Sequence, residues 1–254
     1  MAVVRKALAM LLCTFSVAAE AGDKLVQWTD TSLTALFGTN FKVTGDDATT
    51  LTFEHASGWS FGDLFMFVDV TDYHDNPVRG GSWYGEFSPR FSLKKVGLIN
   101  LPDDGFLKDL TIATTWEKGK NGVEALLIGP GTSLAVPGFA FFQVNVYARK
   151  DTGKGAGFED AQVTVSWRKR FSIGQQEFVI DGFADYVMGW GPQAANLHLV
   201  PQVKWDMGKA MGLGDHRLYL GSEIDIWTNK FGIPDSGAFP TDQLGLNLIL
   251  KAHF

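Results

Sequence analysis

Leu244-Gly-Leu-Asn-Leu-Ile-Leu-Lys-Ala-His-Phe254 closes the chain with a period of two. Leu244, Leu246, Leu248, Leu250, Ala252 and Phe254 fall on one parity, and Gly245, Asn247, Lys251 and His253 on the other. Alternation at this period describes a β-strand with one apolar and one polar face. Ile249 alone breaks the polar parity. If the apolar face meets lipid, the polar face meets a lumen, and earlier segments must repeat the pattern.

The other end of the chain sets the compartment. Arg5 and Lys6 precede an apolar run from Ala7 to Ala19, and Ala19-Glu20-Ala21 has the form of a cleavage site. Residues 1–21 are expected to be a cleaved signal peptide and 22–254 the barrel, with cleavage after Ala19 as the near alternative. The run is shorter than the ~20 apolar residues of a membrane helix. Cys13 follows Leu12, which is too large for a lipoprotein site. Cleavage removes this one cysteine, so the exported chain carries no disulfide. Its stability must come from elsewhere, and a closed hydrogen-bonded sheet is one source.

Composition fits a barrel. The 254 residues are 45% hydrophobic, and loss of Arg5, Lys6 and Glu20 with the leader takes the formal charge from −6 to −7. An acidic surplus argues against nucleic-acid partners. After the leader no apolar stretch is long enough for a membrane helix.

Twelve alternating runs separated by turn residues emerge: 31–43, 49–57, 61–72, 82–93, 108–118, 122–128, 139–150, 160–171, 176–187, 195–207, 216–228 and 242–254. The breaks hold Gly45-Asp-Asp, Asp75-Asn-Pro77, Pro102-Asp-Asp-Gly105, Gly153-Lys-Gly155 and Gly189-Trp-Gly-Pro192. The fold expected is all-β, a twelve-stranded antiparallel transmembrane β-barrel with both termini periplasmic. Segments 94–107 and 129–138 are long for periplasmic turns, and their apolar residues suggest caps under the barrel.

Parity then sorts side chains. Val144, Val163, Val165, Leu197, Leu199, Leu220 and Ile224 face out. Outward Trp167, Phe171, Trp205 and Phe254 gather near the periplasmic ends, as in an interfacial aromatic girdle. A soluble barrel would also alternate, but it fills its interior with apolar side chains, and the inward parity here is charged.

Twelve strands leave a narrow lumen. The inward charges include Asp63, Arg149, Arg168 and Lys204, which must pair or stay hydrated. Aromatics share that face: Phe65 and Phe67 lie between Asp63 and Asp69, and Phe183 lies between Asp181 and Asp185. Flat rings beside carboxylates suit a neutral planar solute bearing hydroxyl and amino donors, since base stacking on a ring is worth ~1–3 kcal/mol. Candidate solute-binding residues are Phe65, Phe67, Asp69, Glu86, Arg90, Phe141 and Asn145. Tyr147, Asp181, Phe183, Asp185, Glu223, Asp225 and Trp227 complete the set.

Catalysis finds little support. An outer-membrane lipase needs a Ser–His pair on the outer wall, and outward His55 has no identifiable serine partner. Five histidines show no metal spacing, so neither cofactor nor metal is expected.

A terminal aromatic on the apolar face resembles the last strand of bacterial outer-membrane barrels. Tyr84-Gly-Glu-Phe-Ser-Pro-Arg-Phe-Ser-Leu93 resembles the Tsx/OmpK family of nucleoside-specific channel-forming outer-membrane proteins. Leu51-Thr-Phe-Glu-His-Ala-Ser-Gly-Trp-Ser-Phe-Gly-Asp-Leu64, Gly129-Pro-Gly, Asn145-Val-Tyr147, Gly182-Phe-Ala-Asp185 and the terminal His253-Phe254 extend the likeness over nearly the whole chain after the leader. The resemblance implies a monomeric channel for nucleosides in Gram-negative outer-membrane lipid. It also implies insertion by the barrel assembly machinery through the strand ending in Phe254, and use by some phage or colicin as a receptor. A general small-solute porin or a receptor barrel without nucleoside specificity is the alternative. Glu86 and Arg90 lie on one strand ~13 Å apart, so each is expected to join a charge on a neighbouring strand.

Overall fold

A computed structural model describes residues 24–74, 81–152 and 157–254. The leader and its cleavage site, like the turns at Asp75-Asn-Pro77 and Gly153-Lys-Gly155, lie outside the described residues. Twelve strands close into one antiparallel barrel. They are β1 (Val26–Thr39), β2 (Ala48–Trp59), β3 (Gly62–Tyr73), β4 (Ser82–Ser92), β5 (Leu107–Gly119) and β6 (Glu124–Leu134). They continue as β7 (Phe141–Asp151), β8 (Asp160–Ile173), β9 (Gln176–Val187), β10 (Asn196–Asp206), β11 (Leu218–Thr228) and β12 (Gln243–His253). A single helical turn, α1 (Met207–Ala210), follows β10. Closure is made by the sequence quoted first: β12 pairs with β1 from Ser32↔His253 to Thr39↔Leu246. Both termini therefore lie at one end of the barrel, here called the terminal mouth; the opposite end is the loop mouth. No described helix is long and apolar enough to cross a membrane.

The register confirms the parity. Leu244, Leu246, Leu248 and Leu250 are exposed on the outer wall, joined by Phe37, Leu51, Phe87, Ile112 and Ile128. A broad apolar surface of this kind is stable in lipid rather than in water. Trp167, Phe171 and Trp205 point outward toward the terminal mouth, and Trp83 and Trp116 form a second outward pair near the loop mouth. Lys169, the outward charge on β8, lies with its ammonium 5.8 Å from the Phe139 ring centroid, clear of the apolar band. Ile249 does face the lumen; it is 0% exposed and opposite Leu36 on β1 and Gly221 on β11.

Three boundaries differ from expectation. β1 begins at Val26, earlier than alternation announces it, because Thr29 and Thr31 occupy outward positions without apolar side chains and the register shifts between Val26 and Trp28. It stops at Thr39, because Asn40 and Val43 take left-handed φ angles of 63° and 72° that turn the chain. β6 runs through Gly129-Pro-Gly to Leu134, so the turn expected at 129–138 shrinks to residues 135–140. Pro130 sits on the outward parity opposite Ile112, and Gly129 lies against Val146 of β7 where a Cβ would fall 1.9 Å from its carbonyl oxygen. The β4–β5 connection does not cap the lumen with its apolar residues, since Leu98 is 69% exposed. Instead Lys95 reaches across to the carbonyls of Trp59 and Gly62 at 2.7 and 3.1 Å, bracing the β2–β3 turn.

Candidate functional site

Every residue expected in the lumen does lie on the inward parity, but the residues differ in what they offer a solute. On β3 and β4, Phe65, Phe67 and Tyr84 form a row with ring centroids 6.0 and 5.8 Å apart, tilted at 39° and 54°. Phe65 remains 40% exposed toward the lumen. Carboxylates flank the row. Asp69 accepts a hydrogen bond from Thr52 Oγ1 at 2.5 Å, and Glu86 accepts one from Tyr84 Oη at 2.8 Å.

The Glu86 and Arg90 expectation holds by half. Arg90 donates to both oxygens of Asp63 on β3, at 2.9 and 2.8 Å. Glu86 instead bonds to its own strand. Its cross-strand neighbour is Glu117, a like charge, held bidentately by Arg149 at 2.6 and 2.8 Å. Such forks are the strong form of a charged hydrogen bond.

The opposite wall, on β9 to β11, is different. Phe183 meets His198 edge-on at 5.0 Å, His198 stacks on Trp227 at 3.8 Å, and Trp227 meets Phe231 at 5.3 Å. His198 Nε2 is 2.9 Å from Asp225 Oδ1, and Gln243 donates to the other Asp225 oxygen at 2.7 Å. Asp185 takes Thr164 Oγ1 at 2.5 Å, and Glu223 is held by Gln202 and Asn247 at 2.6 and 2.9 Å. Asp181 binds both Lys204 and Arg168, at 2.5 and 3.0 Å. Lys204 is only 2% exposed, and its stem crosses Gly221, where a Cβ would fall 2.7 Å from Lys204 Cγ.

The lumen is tight. Glu86 on β4 is within electrostatic reach of Asp185 on β9, and Glu223 on β11 of Asp69 on β3. On the β5–β7 wall, Tyr147 packs with Ala113, Ala125 and Leu127 in a buried cluster. Tyr147 and Asn145 thus lie among the candidates yet present almost no surface. Phe141 is covered in part by the Arg168 guanidinium, 5.7 Å from its centroid.

Some participants carried weaker signals. Glu54 on β2 and Lys251 on β12 form a part-buried ion pair, and both sit on the inward parity that could have found them. Phe41, Lys230 and Phe231 lie beyond strand ends: Phe41 falls in the run 31–43 expected as a strand, and Lys230 and Phe231 in a loop, where parity says nothing. Phe41 folds back over Gly38, where a Cβ would fall 2.4 Å from its ring. Lys230 is 5% exposed at the loop mouth, donates to Gln243 at 2.5 Å, and lies 5.2 to 5.8 Å from the rings of Phe231, Phe41 and Trp227. Burial pushes its ammonium down to about 8, against the opposing pull of Asp225. Near the terminal mouth, Glu177, Asp206 and His216 have potential metal-ligand atoms within 4.8 Å. These groups are already engaged: Asp206 caps α1 at Lys209 N and accepts His216 N, and Glu177 pairs with Lys209. Outward His55 bonds Thr31 Oγ1 at 2.9 Å.

The family described as nucleoside-specific channel-forming protein, Tsx, matches residues 24–254. Among solved structures, a KdgM porin is similar, with a TM-score of 0.50 and 8% identity over 88% of this chain and 99% of that one. A KdgM porin in complex with disordered oligogalacturonate gives the same 0.50 and 8%, again over 88% and 99%. Likeness at this identity speaks for the fold alone. No curated protein matches the chain.

Proposed function

The chain belongs to the family of nucleoside-specific channel-forming proteins, Tsx, and we propose that nucleosides cross its lumen by facilitated diffusion. It is an outer-membrane channel barrel. The specificity is our reading, and one observation carries it: the Phe65–Phe67–Tyr84 row, open to the lumen at Phe65 and flanked by Asp69 and Glu86. A base stacks on the ring face while its amino group and the sugar hydroxyls donate to the carboxylates. A stack of ~1–3 kcal/mol holds a solute long enough to select it and weakly enough to release it.

The binding row is therefore Phe65, Phe67, Asp69 and Glu86. Arg90, Asp181, Asp185, Glu223 and Asp225 set the charge and width of the passage. Phe183 and Trp227 shape the facing wall, and Phe141, Asn145 and Tyr147 belong to the wall that runs between the two. In this reading both termini are periplasmic, the barrel works as a monomer, and the apolar face ending in Phe254 is what the assembly machinery engages. The loop mouth then faces outward, where a phage or colicin would dock.

The test is single-channel conductance in a planar bilayer. Adenosine or thymidine should lower it saturably. Uptake that rises without saturation and ignores nucleosides would instead describe a general small-solute pore.

A further inference from the structure

We propose that the terminal mouth of the lumen is a binding site for a phosphate-class oxyanion, distinct from the aromatic row. A cavity of about 400 Å³ opens there, lined on its cationic side by Arg168, Arg170, Lys204 and Arg217. This is within the ~300–1,000 Å³ range of small-ligand pockets. Its side-chain carboxylates are Asp30, Asp181 and Asp215, and each has a nitrogen partner of its own. Asp181 is shared by Lys204 and Arg168, Asp30 accepts from His253 Nδ1 at 2.7 Å, and Asp215 lies 3.6 Å from Lys209. Arg170 and Arg217 have no carboxylate partner among the described residues. Arg168 lines the cavity and spends only its Nε on Asp181, which leaves its terminal nitrogens clear of that carboxylate.

The strands explain why these cations gather. Arg168 and Arg170 are successive inward positions of β8, ~7 Å apart along it. Across the sheet Arg170 faces Val179, which carries no charge to neutralise it, and Val179 in turn faces Lys204. Arg217 enters from the start of β11, fixed by its carbonyl oxygen accepting His253 N at 2.9 Å. Planar guanidiniums in a shared cavity match the oxygens of phosphate bidentately.

Deeper in the lumen the sign reverses. Glu86 is in electrostatic reach of Asp185, and Glu223 of Asp69, and none of the four pairs with a lysine or arginine among the described residues. An oxyanion held at the terminal mouth meets this acidic belt and goes no further. The site is therefore one-sided: it takes its ligand from the compartment that the termini face.

The experiment uses the full barrel in planar bilayers, with inorganic phosphate added to each compartment in turn at constant ionic strength. Adenosine 5′-monophosphate and adenosine are then added in the same way. Phosphate should alter conductance from one side only. Arg170→Gln with Arg217→Gln should raise the effective phosphate concentration about tenfold or more, because each removes a charge-assisted contact. Both side chains are exposed, so heat-modifiable gel mobility should stay unchanged. If adenosine 5′-monophosphate acts well below the phosphate concentration, the ligand is a phosphorylated solute; equal concentrations point to free phosphate. A phosphate effect equal from both sides, absent, or untouched by the double substitution overturns the proposal. Should the variant misfold, the sidedness of the unaltered barrel decides alone. Adenosine block is a separate readout: its survival alongside a missing phosphate effect sinks this site and leaves the nucleoside reading standing.

Discussion

Two aromatic walls face each other across the lumen, and they do different things. On β3–β4, Phe65, Phe67 and Tyr84 stand 5.8 to 6.0 Å apart at open tilts, and Phe65 is 40% exposed. On β9–β11, His198 and Trp227 lie face to face at 3.8 Å, closed at one end by Phe183 and at the other by Phe231. A ring stacked at that distance has spent the covered face, and no planar solute can enter between the two. Inward direction alone therefore does not make an aromatic a binding residue. The first wall is available to a solute, while the second stiffens the barrel and is tied to Asp225 and Gln243.

The largest effect should come from the charges that share the second wall's strands nearer the terminal mouth. Asp181→Ala strands Lys204, a 2% exposed ammonium, without its counter-ion and should cost ~3–5 kcal/mol in urea unfolding from lipid vesicles. Adding Lys204→Met should recover most of that loss; no recovery would mean that Asp181 acts other than as the partner of Lys204. Next comes the open wall. Phe65→Ala with Phe67→Ala should raise the half-blocking nucleoside concentration about tenfold or more, with folding retained, since each stack is worth ~1–3 kcal/mol. Loss of folding instead would make these rings structural and erase the contrast between the walls.

Trp227→Ala should behave oppositely. It should lower unfolding stability by at least the ~0.5–1.5 kcal/mol of its ring contacts while shifting nucleoside block less than about threefold. The smallest effect concerns Lys230 at the loop mouth, whose ammonium burial pushes down to about 8. Below that pH the mouth carries the positive charge, and above it the charge is gone. Cation preference, measured as reversal potential in a salt gradient, should rise as pH passes upward through about 8. Lys230→Met should remove the inflection.

Much of this architecture was legible in the residues. The period of two in Leu244–Phe254 fixed the face of each side chain on β12, and the same parity holds through β1 to β11. The strand count, the lumen position of Phe65, Phe67, Asp181 and Asp225, and the family all followed. Parity, however, gives a direction and not a height or a partner. Arg90 finds Asp63 and Glu86 finds Tyr84 because of the register between strands, which single-strand alternation does not encode. Tyr147 and Asn145 share the inward parity with Phe65 and are buried, because the β5–β7 wall packs on itself. Lys230 was invisible, since turn residues have no period, and Phe41 falls in a strand expected to run to residue 43, whereas β1 ends at Thr39. Their inward placement depends on left-handed turns at Asn40, Asn229 and Phe231.

The central claim is that a nucleoside stacks on the open wall as it crosses. Single-channel conductance of the unaltered barrel, with and without adenosine, tests it most directly. Conductance should fall saturably with adenosine concentration, and much less so in the Phe65→Ala, Phe67→Ala barrel. Conductance indifferent to adenosine would contradict the claim.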